Sequence, residues 1–336
     1  MHPDKPFLTI EELLAHLQND YGLRSITHPD FAKNAIFKFS YYDLVNGYQD
    51  VLIKDGKFEG QISIEYLYLF HLFDKELQNI IFKYSIMIEN YFKNVMAYYI
   101  SQHCGVFIDD YLNPKYYYAN KAGVNFNELK DKIINYNIKG DGAKQQPIKH
   151  YLKNHNHVPA WILFKNLDFG KSINLFTLLR NPMKTDITNK LMPYKLSASE
   201  KTEFLICALN LIRKFRNKIA HNLKFVTYKA QGDYLSAKVL KATLPPVLYG
   251  PSEKAAKCGR NDVYAVILSI IILLKDDSYL INKFISEFMV HITSLDETVV
   301  YENLKPMFFN KYSDITGLPK NLAQKFEALY TNTNKQ

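Results

Sequence analysis

Apolar residues recur at helical spacing along most of the chain, and strand-like alternation is confined to one stretch. Thr9-Ile10-Glu11-Glu12 has the form of a capping box, with Leu13, Leu14 and Leu17 behind it and Tyr21-Gly22 as the stop. A second helix is expected over about 31–46, ended by Asn46-Gly47. From Ser63 to about Gln102, Leu67, Phe70, Phe73, Leu77, Ile81, Ile88, Phe92 and Met96 keep a helical period without Gly or Pro, which predicts the longest helix. Residues 104–145 read as short helical pieces among polar loops, with Lys139-Gly140-Asp141-Gly142-Ala143 as a flexible tip. Helices follow over 160–167 and 172–179. Ser197-Ala198-Ser199-Glu200 is a second capping box, opening an amphipathic helix that turns Phe204, Leu205, Leu209, Leu211 and Ile212 inward.

Residues 224–228 and 234–240 alternate around Gln231-Gly232-Asp233 and predict a β-hairpin, closed by Pro245-Pro246 and Gly250-Pro251. Helices resume near Ser252, over 263–274, 279–294 and 319–329. The apolar run 263–274 contains Ser269 and is well short of the roughly 20 residues that span a bilayer, so it predicts a buried core helix. The expected fold is all-α with one small inserted β-hairpin. It divides into an N-terminal helical region (1–60), a helical core (61–222), the hairpin insertion (223–251) and a C-terminal helical extension (252–336).

Composition narrows the class. With 47% hydrophobic and 22% charged residues, the chain is globular rather than disordered. A net charge of +9 favours an anionic partner, although the charge is spread along the chain rather than gathered in a block. The 25 tyrosines and 22 phenylalanines are explained as well by an A/T-rich coding sequence as by base-stacking platforms. Cys104, Cys207 and Cys258 are odd in number and far apart, which argues against a disulfide framework or zinc knuckle and fits a reducing cytoplasm. Met1-His2-Pro3-Asp4-Lys5-Pro6 leads into the first helix without the apolar stretch of a signal peptide, so a cytoplasmic protein is expected. His150, His155 and His157, with Asn154 and Asn156, lack a cysteine or carboxylate cluster to complete a ligand shell; they read as a polar loop, and neither metal nor cofactor is expected. Trp161, following Pro159-Ala160, reads as a core residue or a base-stacking platform. Signatures of nucleoside triphosphatases, serine hydrolases and zinc proteases are absent.

The chemistry concentrates in Arg213-Lys214-Phe215-Arg216-Asn217-Lys218-Ile219-Ala220-His221. Only five arginines occur in the chain and two stand here, three residues apart. A guanidinium pairs bidentately with phosphate oxygens where lysine acts as a point charge, and a histidine moves protons near neutrality. Arg216 and His221 therefore suit phosphodiester cleavage without a metal. Arg213 is expected as an auxiliary phosphate contact, with Lys214 and Lys218 as neighbouring cations for a phosphate backbone. On an ideal helix Asn217 and His221 share a face while Arg216 is about 140° from His221, so convergence needs the long arginine side chain or a distorted helix end. The plainer alternative is that these groups only complement the helix dipole and bind the last carbonyls.

Arg216-Asn217-Lys218-Ile219-Ala220-His221 matches the Arg-x4-6-His signature of HEPN domains. The wider chain resembles the Abi-like family of bacterial abortive-infection proteins, its AbiD/AbiF branch, at ordered landmarks. These are Lys5-Pro6, the Tyr41-Tyr42-Asp43-Leu44-Val45-Asn46-Gly47-Tyr48 block, Phe73-Asp74-Lys75-Glu76-Leu77 leading to Ile88-Glu89, Val158-Pro159-Ala160-Trp161 through Phe169-Gly170, the Arg216–His221 segment, and Gly317-Leu318-Pro319. Lys165 stands where a glutamate is expected, Asp43-Leu44 replaces Arg-Leu, and 223–250 is longer than usual. The resemblance implies a HEPN-like helical bundle with additional helices, acting as an endoribonuclease toxin in phage defence. It also implies a homodimer with a composite cleft, and in some relatives a small structured non-coding RNA partner. In the implied mechanism His221 is the acid or base, Arg216 stabilises phosphoryl charge and Asn217 orients substrate or histidine. Glu89 reads either as a partner of the basic motif or as an exposed helix residue. A non-catalytic RNA-binding module and a purely structural helix end remain the competing readings.

Overall fold

In a computed structural model of the chain, the described residues are 6–24, 26, 28–60, 62–296 and 298–333, the last three as backbone only. Lys5 and the residues before it lie outside them. The fold is all-α, and its strands form just two hairpins of two residues per strand among the described residues: Ile53–Lys54 with Lys57–Phe58, and Asn120–Lys121 with Val124–Asn125.

The hairpin expected at 223–251 is not there. Ser236 instead caps a helix, Ala237–Thr243, which buries Val239 and Leu240. The alternation of Tyr234 to Leu240 is too short to separate a two-residue from a 3.6-residue period. A second difference is the helix Val300–Thr316, which carries Pro306 inside it and falls between the helices that the sequence pattern predicts. Trp161 is 44% exposed, so its core reading does not hold.

The chain forms two compact units from non-contiguous stretches. One comprises Met1–Ile80, Asn222–Tyr228 and Ser286–Ala323; the other Ile81–His221, Lys229–Ile285 and Gln324–Gln336. The serial division at residues 60, 222 and 251 does not coincide with these units. The long helix Ile64–Cys104 supplies its first part to one and the rest to the other.

In the first unit, buried Asp74 organises a polar centre inside an aromatic core of Phe70, Phe73 and Phe308. Its carboxylate accepts from Tyr48 Oη (2.8 Å), Gln78 Nε2 (2.8 Å) and Tyr312 Oη (2.9 Å). Tyr48 has one hydroxyl proton and gives it to Asp74, so its oxygen must accept from the Nδ1–H of His71, 2.9 Å away. Burial, aided by the charge of Lys75, pushes the His71 pKa down to about 4, which keeps the ring neutral. Burial also raises Asp74, against the pull of its donors. The Tyr41–Tyr48 block serves this centre. Residues Tyr42–Asn46 make a wide helical turn, closed by Gly47 N–H to Tyr42 C=O at 2.8 Å. A Cβ at Gly47 would lie 2.6 Å from the Asp43 carbonyl oxygen, so only glycine fits this approach.

In the second unit the helix Ala198–Ala220 is central. Its capping box closes as the sequence predicts, with Glu200 N–H on Ser197 Oγ (3.3 Å) and Ser197 N–H on Glu200 Oε2 (3.1 Å). Phe204, Leu205, Ala208, Leu209, Leu211, Ile212 and Phe215 are buried in one stripe, packed against Val263–Leu273, Phe169–Leu178 and Met183–Leu191. Every residue of Val263–Leu273 is buried, as expected of a core helix. No helix among the described residues is long and apolar enough to cross a membrane.

Candidate functional site

The Arg213–His221 motif occupies the last turns of the Ala198–Ala220 helix. His221 is the C-cap residue, with φ −97° and ψ 11°, and its N–H still closes on the Asn217 carbonyl at 3.1 Å. Asn222 then turns left-handed at φ 49°, a conformation that asparagine tolerates at helix ends. The helix stops at the histidine, whose side chain is exposed.

Arg216 is part-buried and held at two points. Its Nη2 donates to Glu89 Oε2, and its Nη1 donates to Asn217 Oδ1 at 3.0 Å. Glu89 is only 8% exposed and takes a second cation, Lys93 Nζ, at 2.6 Å. Lys93 is buried too, and also donates to the Leu167 carbonyl. One carboxylate thus holds two cations, Lys93 one turn along its own helix and Arg216 across from it on the motif helix. The exposed-face reading of Glu89 is thereby set aside. Its sequence signal was an i, i+4 Glu–Lys pair among the apolar residues Ile88 and Phe92.

Arg213 lies beside Gly170 on the facing helix Phe169–Leu178. A Cβ at Gly170 would sit 3.6 Å from Arg213 Cδ and Nη1, an ordinary contact, so the arginine packs directly on this helix turn. Arg213 Nη2 reaches Asn210 Oδ1 at a long 3.4 Å, and its buried Nε has no partner among the described residues. Asp168 caps the facing helix, accepting the Lys171 N–H at 2.8 Å and pairing with Lys171 Nζ at 2.8 Å. Burial works against its ionisation, but these Lys171 contacts outweigh it and hold the carboxyl below the usual range.

Of the other residues expected at the site, Lys214 is engaged elsewhere, in an ion pair with Asp233 and a hydrogen bond to the Gln231 carbonyl (2.6 Å). Lys218 is part-buried on the same helix. The structure therefore brings Arg216 and Asn217 together directly, and puts His221 one turn beyond Asn217 on the helix end.

The three cysteines are free, and burial pushes the thiols of Cys104 up to about 11 and of Cys207 and Cys258 up to about 12, so they are poor nucleophiles at neutral pH. His150 and Asn154 lie in a helix, Ile148–Asn154, rather than in the expected polar loop, and engage each other at i, i+4; His157, beyond the helix end, is engaged by Asn156. Among the described residues no three His, Cys, Asp or Glu side chains gather where a metal ion could be held.

The family model of Abi-like proteins matches residues 34–226, more than half of the chain. That span contains the Tyr41–Tyr48 block, Asp74, Glu89, Trp161, Phe169-Gly170 and the whole Arg213–His221 motif; Lys5-Pro6 and Gly317-Leu318-Pro319 fall outside it. No curated protein and no solved structure matches the chain. With Tyr48, His71 and Asp74 of the polar centre and the Glu89-anchored arginine inside the matched span, the chain belongs to the Abi-like protein family, a membership that points to abortive infection, a form of phage defence.

Proposed function

We propose that the protein is a HEPN-type endoribonuclease that cleaves RNA without a metal ion, with His221 as proton carrier and Arg216 as the phosphate-binding cation. The observation that carries this reading is the anchoring of Arg216 by Glu89 and Asn217 on a helix that ends in an exposed His221. RNA carries its own nucleophile in the 2′-hydroxyl. The protein then needs one group to take or give a proton and one to stabilise charge on the phosphoryl oxygens. A guanidinium has five N–H donors, so Arg216 keeps donors for a phosphate after serving Glu89 and Asn217. Glu89 restricts its rotamers before substrate arrives, and Asn217 fixes the edge it presents. Arg213 is the auxiliary contact.

One motif offers one imidazole, whereas cleavage uses a base for the 2′-hydroxyl and an acid for the leaving 5′-oxygen. A two-fold homodimer with facing motifs supplies both. The second reading is an RNA-binding module that acts by holding a small structured RNA; it needs the same phosphate contacts but no proton carrier at His221.

The test uses purified protein and labelled RNA in EDTA. His221→Ala is expected to reduce cleavage by about 10²–10⁴-fold while RNA affinity and the melting midpoint stay unchanged, because the exposed ring packs little. The wild-type product is expected to end in a 2′,3′-cyclic phosphate. Cleavage that persists in His221→Ala overturns the ribonuclease reading, and tight binding without cleavage by the wild type establishes the module instead.

A further inference from the structure

Within the second unit, away from the Arg213–His221 helix in sequence, three cations meet without an anion. Lys184 is 5% exposed, yet its ammonium is near no carboxylate: Nζ donates to the Thr177 carbonyl at 2.6 Å and lies 5.3 Å from the centre of the Phe176 ring. Its charged neighbour is Lys121, and burial together with that neighbour pushes the Lys184 pKa down to about 7. Lys121 Nζ and the Arg180 guanidinium both sit over Tyr118, at 4.7 and 4.6 Å from the ring centre. Among the described residues none of the three forms an ion pair.

The backbone holds this arrangement in place. Tyr117 and Leu179 form an antiparallel bridge, Tyr118 N–H donates to the Leu178 carbonyl (2.8 Å), and Arg180 N–H to the Tyr116 carbonyl (2.9 Å). Arg180 Nε also donates to the Tyr117 carbonyl at 2.9 Å. Lys121 and Arg180 are thus preorganised over one tyrosine, with Lys184 beside Lys121, at the expense of mutual repulsion that a bound anion would relieve. Lys144 and Lys238 of the same unit are arranged differently, each neutralised by a carboxylate, that of Asp141 and of Glu200.

We propose that Lys121 and Arg180, both over the Tyr118 ring, with Lys184 beside Lys121, form a second phosphate-binding site, which holds a backbone phosphate of single-stranded RNA. The choice of RNA rests on the proposed function. It is supported here by aromatic side chains interleaved with the cations: Tyr118 is 38% exposed, and Lys115 lies over Tyr116 at 4.7 Å. A phosphate held beside an open aromatic ring leaves the neighbouring base free to stack. The site would fix the strand at a point other than the cleavage motif, setting where the motif meets it.

The test is fluorescence anisotropy with a labelled single-stranded RNA across a salt series, in the full-length protein carrying His221→Ala to prevent cleavage. Adding Lys121→Gln and Arg180→Gln, both at exposed positions, should weaken binding by about tenfold or more at low salt and lower the salt slope by about 1.4, or about 0.7 for each cation removed. Lys144→Gln, which removes a cation already paired with Asp141, is the control and should leave the slope unchanged. Unchanged affinity and slope in the double variant, in a protein that binds RNA, overturns this site and leaves the proposed function standing. A parent that binds no RNA overturns both. A double variant that loses binding to polyglutamate as much as to RNA marks an acidic-peptide surface and overturns the assignment to RNA.

Discussion

Glu89→Gln is the sharpest probe of the site, because it keeps shape and removes only charge. In the wild type one carboxylate neutralises Lys93 at 2.6 Å and Arg216 across the helix pair, with Glu89 and Lys93 both buried. Breaking a buried ion pair by removing one partner costs about 3–5 kcal/mol, since an uncompensated charge is left behind. Arg216 keeps 26% of its side-chain surface open to water, which moderates the penalty on its side, so a loss of about 3 kcal/mol is expected. Lys93→Met in the same background removes one of the two orphaned cations. The double variant should therefore recover about half of the loss, so that the coupling in a double-mutant cycle is about 1.5 kcal/mol plus whatever Lys93→Met costs by itself. The assay is urea unfolding followed by emission of Trp161, the chain's only tryptophan, which lies in the same unit as all three residues. A loss under about 1 kcal/mol for Glu89→Gln, or a coupling within about 0.3 kcal/mol of zero, refutes the view that both cations depend on Glu89. If cleavage is assayed in parallel, Glu89→Gln should lower the catalytic rate more than RNA affinity, because it frees Arg216 to rotate without removing it.

Three further outcomes are expected. His71 has a folded-state pKa of about 4 against an ordinary 6.5, so the unfolded ring takes up its proton first; its contribution is complete above about pH 6.5 and is lost as pH falls through 4. The full loss is about 3 kcal/mol, opposed in part by the raised carboxyl of Asp74, and urea midpoints read by near-ultraviolet tyrosine circular dichroism should lose that pH dependence in His71→Gln. Gly47→Ala forces a Cβ to within 2.6 Å of the Asp43 carbonyl and should lower stability by about 1–3 kcal/mol, with an unchanged melting midpoint as the contrary result. Mixing subunits that carry Arg216→Ala with subunits that carry His221→Ala should change cleavage non-additively if the motifs face each other in a homodimer; simple dilution, or a monomer by light scattering, counts against that arrangement.

What the sequence disclosed follows from the range over which each signal acts. Both capping boxes, the unbroken helix Ile64–Cys104 and the buried stripe from Phe204 to Phe215 are local, repeated every turn and readable residue by residue. The stretch at 223–251 reads wrongly as a hairpin because Leu235, Val239 and Leu240 satisfy either period over so few residues, and Ser236 is as good a helix cap as a turn residue. Val300–Thr316 is hidden by Pro306, which the helix accommodates in its interior. The hairpins at 53–58 and 120–125 have too few residues per strand to alternate at all. At the site, the residue types in Arg213–His221 are legible, but their partners are not. Glu89 stands 127 positions from Arg216, and nothing local says that Lys214 spends its charge on Asp233. Lys121 is likewise far from Arg180 and Lys184 in sequence, and meets them through the contacts of Tyr116–Tyr118 with Leu178–Arg180.

The interleaving of the two units bears on when such a protein becomes active during its synthesis. The first unit needs Ser286–Ala323 and the second needs Gln324 onward, where Lys325 joins Glu253 at 2.9 Å and the Val247 carbonyl at 2.6 Å. A ribosome adding ~5–20 residues per second leaves the Arg216–His221 segment waiting on the order of ten seconds before either unit has all its parts. For the first part of that interval the motif helix lacks Val263–Leu273, one of the helices it packs against. If the proposed ribonuclease activity resides in this motif, synthesis alone delays it, because the anchored arginine is complete in sequence long before the units that carry it are.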